Sequence, residues 1–178
     1  MKSYLFLVLA LCSMACSKSD NDDDSSRYAT TNNGVVDGYL NGSNLQFSGS
    51  SVATNTDAGA YTDAEACFEV NGDKLVLNLY MHQTRFAAAM PALEMRVSNL
   101  SYTPGTGAAL SFDIDSIVPE VLLPDTEGGY SYQPLPSYTL TALKGTLSGT
   151  QLCVSFSCDV PRLGNYQVSY RGALLKAE

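Results

Sequence analysis

Apolar and polar residues alternate one for one along most of the chain after Gly34, and this constrains the fold more than any other feature. Between Lys74 and His82, Leu75, Leu77, Leu79 and Met81 fall on one side; Val76, Asn78, Tyr80 and His82 fall on the other. Successive side chains of a strand point to opposite sides of the sheet, so a period of two marks a strand with one buried face. Ala64, Ala66, Phe68 and Val70 alternate likewise with Glu65, Cys67 and Glu69. Asn71-Gly72-Asp73 between the two runs predicts a hairpin. Leu152, Val154, Phe156 and Cys158 repeat the scheme, and Gly149-Thr150 predicts a second hairpin with residues 143–147.

Further strands are expected at 35–41, 45–52, 93–100, 108–118, 138–143 and 165–174. Residues 83–93 (QTRFAAAMPAL) have the alanines for a helical turn, but Pro91 interrupts it, so an irregular connection is expected. About nine or ten short strands at roughly 8–12-residue spacing predict a sandwich or barrel. Closure removes exposed strand edges, which are templates for unwanted pairing. The terminal strands 35–41 and 165–174 are therefore expected to pair antiparallel, with Gly38 and Gly172 allowing the bend.

The composition fits one globular domain: 178 residues, 45% hydrophobic and 16% charged. A net charge of -8 argues against a nucleic-acid partner, because a duplex binder needs a basic face to neutralise phosphates.

The N-terminus reads as an address. Met1-Lys2 is a short basic start, and Tyr4 to Leu11 is an apolar run. A membrane-spanning helix needs about 20 apolar residues, so this run suits the core of a signal peptide instead. Ala15-Cys16 resembles the lipobox of bacterial lipoproteins, which implies cleavage after residue 15 and lipid on Cys16. The lipobox usually carries Leu three positions before the Cys, where this chain has Ser13. Ser17 to Asp24 is polar and acidic. It is similar to the export signal of Bacteroides-type surface lipoproteins. Residues 16–33 are expected to form a solvated, disordered tether, since an acidic run cannot bury itself.

Residues 34–178 form the expected folded domain. Taken with Cys16 and the tether, Gly38-Tyr39, the Asn71-Gly72-Asp73 hairpin and the closing Ser169-Tyr170-Arg171-Gly172, it resembles the calycin-like (lipocalin-like) β-barrel domains of those surface lipoproteins. The resemblance implies an all-β fold: an antiparallel up-and-down calycin-like barrel of about eight to ten strands, with room for an internal cavity. True lipocalins carry an early Gly-x-Trp motif, and this chain has no Trp.

Candidate chemistry is sparse. His82 is the sole His, so no zinc cluster of several imidazoles is expected. Asp113 and Asp115 lie two apart on one strand face, a spacing of about 6.5–7 Å that suits a glycosidase pair, but a wet strand face explains them as well. Asp115-Ser116-Ile117 resembles a short O-glycosylation acceptor of these bacteria. Residues 55–66 space oxygen-bearing side chains like a calcium loop, but Ala60 and Ala66 stand where that loop needs Gly and Glu. Cys153 and Cys158 are too far apart on one strand to bridge, at about 16 Å. Cys67 with Cys153 is the better-matched pair, and burial as free thiols is the alternative.

Residues 119–136 (PEVLLPDTEGGYSYQPLP) read as a long irregular loop, which in a compact domain is functional or mobile. Its Tyr130 and Tyr132, together with Tyr80 and His82 on the strand face, are the candidate binding residues. No catalytic residue, metal or cofactor is expected. The leading expectation is a non-catalytic, lipid-anchored protein of the outer membrane, facing outward, with a small apolar or mixed ligand in the barrel. The alternatives are a protein-interaction module, such as an inhibitor or accessory subunit, acting through 119–136, and a glycan-binding sandwich.

Overall fold

A computed structural model describes residues 34–177. The expected signal peptide, Cys16 and the expected tether lie outside the described residues. The described residues are almost entirely antiparallel β. In order, the strands are β1 (Val35–Val36), β2 (Tyr39–Leu40), β3 (Leu45–Asn55), β4 (Gly59–Gly72), β5 (Val76–Thr84), β6 (Leu93–Ser101) and β7 (Thr103–Pro104). They continue with β8 (Ala109–Ile117), β9 (Glu120–Pro124), β10 (Tyr130–Pro134), β11 (Leu140–Ser148), β12 (Gln151–Val160) and β13 (Gly164–Ala177). A 3-10 turn at Pro136–Tyr138 precedes β11.

The large sheet runs β10-β9-β6-β5-β4-β3-β13-β12-β11-β8-β7. The strands next to its two ends, β9 and β8, are consecutive in sequence, because β8 ends at Ile117 and β9 begins at Glu120. Three peptide steps span at most about 10 Å. β8 and β9, at opposite sides of the sheet, must therefore lie end to end, and the run 109–124 serves both walls. Its first half pairs with β11 (Phe112↔Gly145) and its second half with β6 (Met95↔Val121, Arg96↔Glu120). β3, β4, β5, β6, the β8–β9 run, β11, β12 and β13 are thus the eight staves of an up-and-down barrel.

The terminal pairing differs from expectation. Residues 35–41 do not reach β13. Asp37 and Gly38 take φ of 51° and 80°, so β1 and β2 fold on each other as a tight hairpin. Asp-Gly is the dipeptide that a two-residue hairpin turn favours, and it outweighs the apolar alternation around it. β13 pairs instead with β3 and β12. Gly172 lies opposite Gly49, and a Cβ at 172 would overlap the Tyr170 hydroxyl. That space lets Tyr170 lie against Phe68, with ring centroids 3.8 Å apart, and donate its hydroxyl to the Phe47 carbonyl at 3.0 Å.

The interior is packed. Leu45, Phe47, Leu77, Leu79, Met81, Phe86, Met95, Leu140, Leu143 and Leu152 have no exposed surface. A water-sized void beside any of them would leave some. The connection 85–92 forms no helix. It dips into one end of the barrel and buries Phe86, Ala87 and Met90, with Phe86 edge-on to Phe156 at 5.3 Å. Leu75 departs from its strand pattern: it stands 77% exposed in the turn before β5. The two strands expected at 138–143 and 143–147 are one, β11, with a bulge opposite Phe156 in which Ala142 takes φ of 50°.

Candidate functional site

Outward-facing residues of β4, β5, β6, β9 and β10 gather into one half-buried cluster. Strand register builds it. Glu69 pairs with Tyr80, Tyr80 with Arg96 and Arg96 with Glu120, giving one lateral row across four strands. His82 lies two residues on from Tyr80, on the same face. The β5–β6 ladder slips between Met81 and Thr84, with Gln83 at φ 48°. A bulge of this kind re-aims side chains, and here it turns His82 and Gln83 together onto Glu94.

Glu94 consequently accepts three hydrogen bonds. His82 Nδ1 lies 3.0 Å from Oε2, while the Gln83 backbone N–H and Nε2 donate to Oε1 at 3.1 and 2.7 Å. On its other side, His82 Nε2 sits 3.5 Å from Glu69 Oε2, an ionic contact without hydrogen-bond geometry. Burial opposes the charge on His82, but the close contacts with Glu69 and Glu94 and their negative charge outweigh it and raise its pKa to about 9. The contact with His82 in turn lowers Glu69. Burial pushes Glu94 up, and the bonds from His82 and Gln83 overcome it to leave the pKa lowered.

The second half of the cluster is aromatic. Glu120 Oε2 accepts from Arg96 Nε at 2.8 Å and from Ser98 Oγ at 2.7 Å, which holds Glu120 below its ordinary pKa. The Arg96 guanidinium lies over the Tyr132 ring at 4.2 Å, within cation–π range. Tyr80 meets Tyr132 edge-on at 6.1 Å and stacks loosely on His82 at 6.3 Å. Burial, then the Glu94 charge, raises the Tyr132 pKa to about 12. Tyr130 shares the hairpin but is 62% exposed.

Three of the four candidate binding residues, Tyr80, His82 and Tyr132, are therefore brought together. Glu69, Glu94, Arg96 and Glu120, which complete the cluster, were not singled out from sequence. Their signal was the shared outward parity on neighbouring strands, but parity does not say which residues lie side by side. Residues 119–136 prove to be a hairpin, β9–β10, rather than an irregular loop. Pro124 and Pro134 sit at alternate positions of its ladder and leave the bonds between its two strands intact.

The other candidates lie elsewhere. Asp113 faces outward on β8 and pairs with Lys144 at 3.0 Å, both highly exposed. Asp115 and Ser116 are exposed on the same strand. In the calcium-like stretch, Asn55 Oδ1 accepts from the N–H groups of Asp57 and Ala58, which makes it a turn residue. Among the described residues no group of three His, Cys, Asp or Glu side chains is placed to hold a metal. Cys153 and Cys158 are free, so the Cys67–Cys153 bridge does not form. Cys158 is buried on the inner face, and that burial pushes its pKa up to about 12. A hollow of about 270 Å³ opens at the end of the barrel beside the 85–92 connection, lined mostly by Ala58, Ala60, Ala87–Ala89, Tyr61 and Tyr166.

No family model, curated protein or solved structure matches this chain, so the reading of the cluster rests on its own residues.

Proposed function

We propose that this chain is a non-catalytic binding protein, anchored by lipid on Cys16 to the outer face of the outer membrane, that engages a partner protein through the β9–β10 hairpin and the Tyr80–His82–Arg96–Tyr132 patch. One observation carries this reading. The barrel interior is filled with side chains, while its outside gathers aromatic and charged residues from five strands. Half-buried Tyr and Arg are the residue types that dominate protein interfaces. The cluster lacks the features of a catalytic base: the imidazole is held protonated between two carboxylates, and a base must be neutral to accept a proton. The resemblance of the leader, tether and strand order to calycin-like surface lipoproteins supports the address. The apolar hollow beside Ala87–Ala89 favours a second reading, a small apolar ligand held at the barrel mouth.

The test places a photo-crosslinking amino acid at Tyr130 and, separately, at Lys144 on the opposite wall, in cells of the natural host. A discrete adduct from Tyr130 alone is expected. Equal adducts from both positions, or none, would sink the hairpin reading. A co-purifying molecule of defined mass in native mass spectrometry would move the assignment to the hollow. Cys16→Ala should release the protein into soluble fractions; retention with membranes would remove the anchor.

A further inference from the structure

The hairpin that carries Tyr130 and Tyr132 is also an edge of the sheet, since β10 pairs with β9 alone. Two bonds fix which backbone groups face which way. The Asp125 N–H donates to the Gly129 carbonyl at 3.0 Å, and the Leu135 N–H donates to the Pro119 carbonyl at 2.8 Å. Both lie in register with Ser131↔Leu123 and Gln133↔Val121. In an antiparallel ladder alternate residues address the same neighbour. Gly129, Ser131, Gln133 and Leu135 therefore face β9, and Tyr130, Tyr132 and Pro134 face away. The outward row presents the N–H and C=O of both tyrosines and the C=O of Pro134. None of these has a hydrogen-bond partner among the described residues. The missing N–H of Pro134 falls on this outer side, where the existing ladder does not need it.

Natural edges are blunted by lysine, by proline, by bulges or by inward charge. β10 reads Tyr-Ser-Tyr-Gln-Pro; it has no lysine, bulge or inward charge, and its one proline stands at the end of the strand, beyond the two outward tyrosine amides. β7, at the other end of the sheet, is only two residues long and ends in Pro104. The surroundings of β10 are acidic. Glu120, Asp125 and Glu127 lie on the same hairpin, and the nearby cations Arg96 and His82 are already committed to Glu120, Glu69 and Glu94. The Tyr132 ring holds a guanidinium on one face, whereas the Tyr130 ring stands in solvent. The chain's net charge of -8 opposes a second copy as occupant.

We propose that β10 is a docking edge to which an extended, basic segment of a partner polypeptide adds as a further strand. Main-chain bonds to Tyr130 and Tyr132 supply the affinity, and Lys or Arg at alternate positions reach the tyrosine rings and the hairpin carboxylates. This rests on the reading of the hairpin as the interaction surface and adds the geometry and chemistry of the partner.

The probe is a blocked hexapeptide of alternating Lys and Val, titrated into the isotope-labelled full chain and followed by amide shifts and hydrogen exchange. The expected result is perturbation and protection centred on the Tyr130 and Tyr132 amides. Binding should weaken at least tenfold for the Glu-Val counterpart and at least tenfold for Tyr130→Pro, which removes one outward N–H and spares the β9 ladder. N-methylation of alternate peptide residues should weaken it as much, and it leaves the protein untouched should the variant fold poorly. Binding that ignores these changes, or maps to the Asp113 wall, overturns the proposal. Concentration-dependent dimerisation through the same amides overturns it in favour of a second copy. A hairpin crosslink in cells without peptide binding would leave the interaction surface standing and remove strand addition.

Discussion

The two walls of this barrel use the same alternation for opposite ends. On the wall of β11, β12 and β13, outward positions carry Thr146, Ser148, Ser155, Ser157, Ser169 and Arg171, side chains that stay in water. Its one ion pair among the described residues, Lys144 with Asp113, is largely exposed on both sides. On the wall of β4, β5 and β6, outward positions carry Glu69, Tyr80, His82, Glu94 and Arg96, and the β9–β10 hairpin folds against them. Charges there are half-buried and paired with one another. The difference shows that an outward position is only an opportunity. A long polar side chain becomes part of a site when register sets complementary groups beside it and another element shields them from solvent.

The largest test asks whether the contrast is confined to the outside. Phe68→Ala beneath the cluster and Phe156→Ala beneath the plain wall should each cost about 3–5 kcal/mol, because both rings are buried and leave cavities. Chemical denaturation measures both. A clearly smaller loss for Phe68 would mean that the clustered wall is loosely packed.

The next test separates the walls by pH. The His82 pKa stands raised, at about 9 against an ordinary 6.5. Its contribution is therefore complete below about pH 6.5 and is lost as pH rises through 9. Glu69 and Glu94 are lowered, so their contribution is present above their ordinary 4.5 and is lost as pH falls through their folded values. Stability should peak between about pH 5 and 6.5 and fall by roughly 2–3 kcal/mol by pH 9.5. His82→Gln should flatten the alkaline limb. An unchanged limb in that variant would show that another group drives it.

Two smaller changes probe the plain wall. Ala142 holds a left-handed conformation in the β11 bulge, so Ala142→Gly should stabilise by roughly 0.5–1 kcal/mol. Destabilisation would mean that the methyl group packs usefully. Lys144→Ala should cost less than about 0.5 kcal/mol, as exposed pairs do. A loss above 1 kcal/mol would erase the distinction between the two walls.

Much of the barrel was legible because Phe68, Val70, Leu77, Leu79 and Met81 keep strict alternation across a turn, and a one-residue slip would expose them all. The β4–β5 and β11–β12 hairpins followed from the same logic. Asp37-Gly38 carried the signal for the short β1–β2 hairpin, but the apolar neighbours Val35, Val36 and Leu40 read more strongly as one strand. The β9–β10 hairpin was hidden by Pro124 and Pro134, which suggest a loop unless their ladder parity is known. The candidate site was half legible. Tyr80 and His82 declared a face and Tyr132 declared itself by type, but the lateral row Glu69–Tyr80–Arg96–Glu120 depends on registers set by bulges. Those bulges sit at Gln83 and elsewhere on residues with no glycine to mark them.

The bent run 109–124 joins the walls by covalent continuity, and its ladder to β6 has only the pairs Met95↔Val121 and Arg96↔Glu120. The barrel is therefore a clasped ring. Its clasp opens by breaking a few hydrogen bonds and the Arg96–Glu120 ion pair, while every other stave keeps its neighbours. Slow breathing should start at this clasp, and amides near Met95 and Val121 should exchange with solvent long before those of β3 and β13. The hairpin that bears Tyr132 hangs from the same clasp, so a partner bound there would also act as its latch.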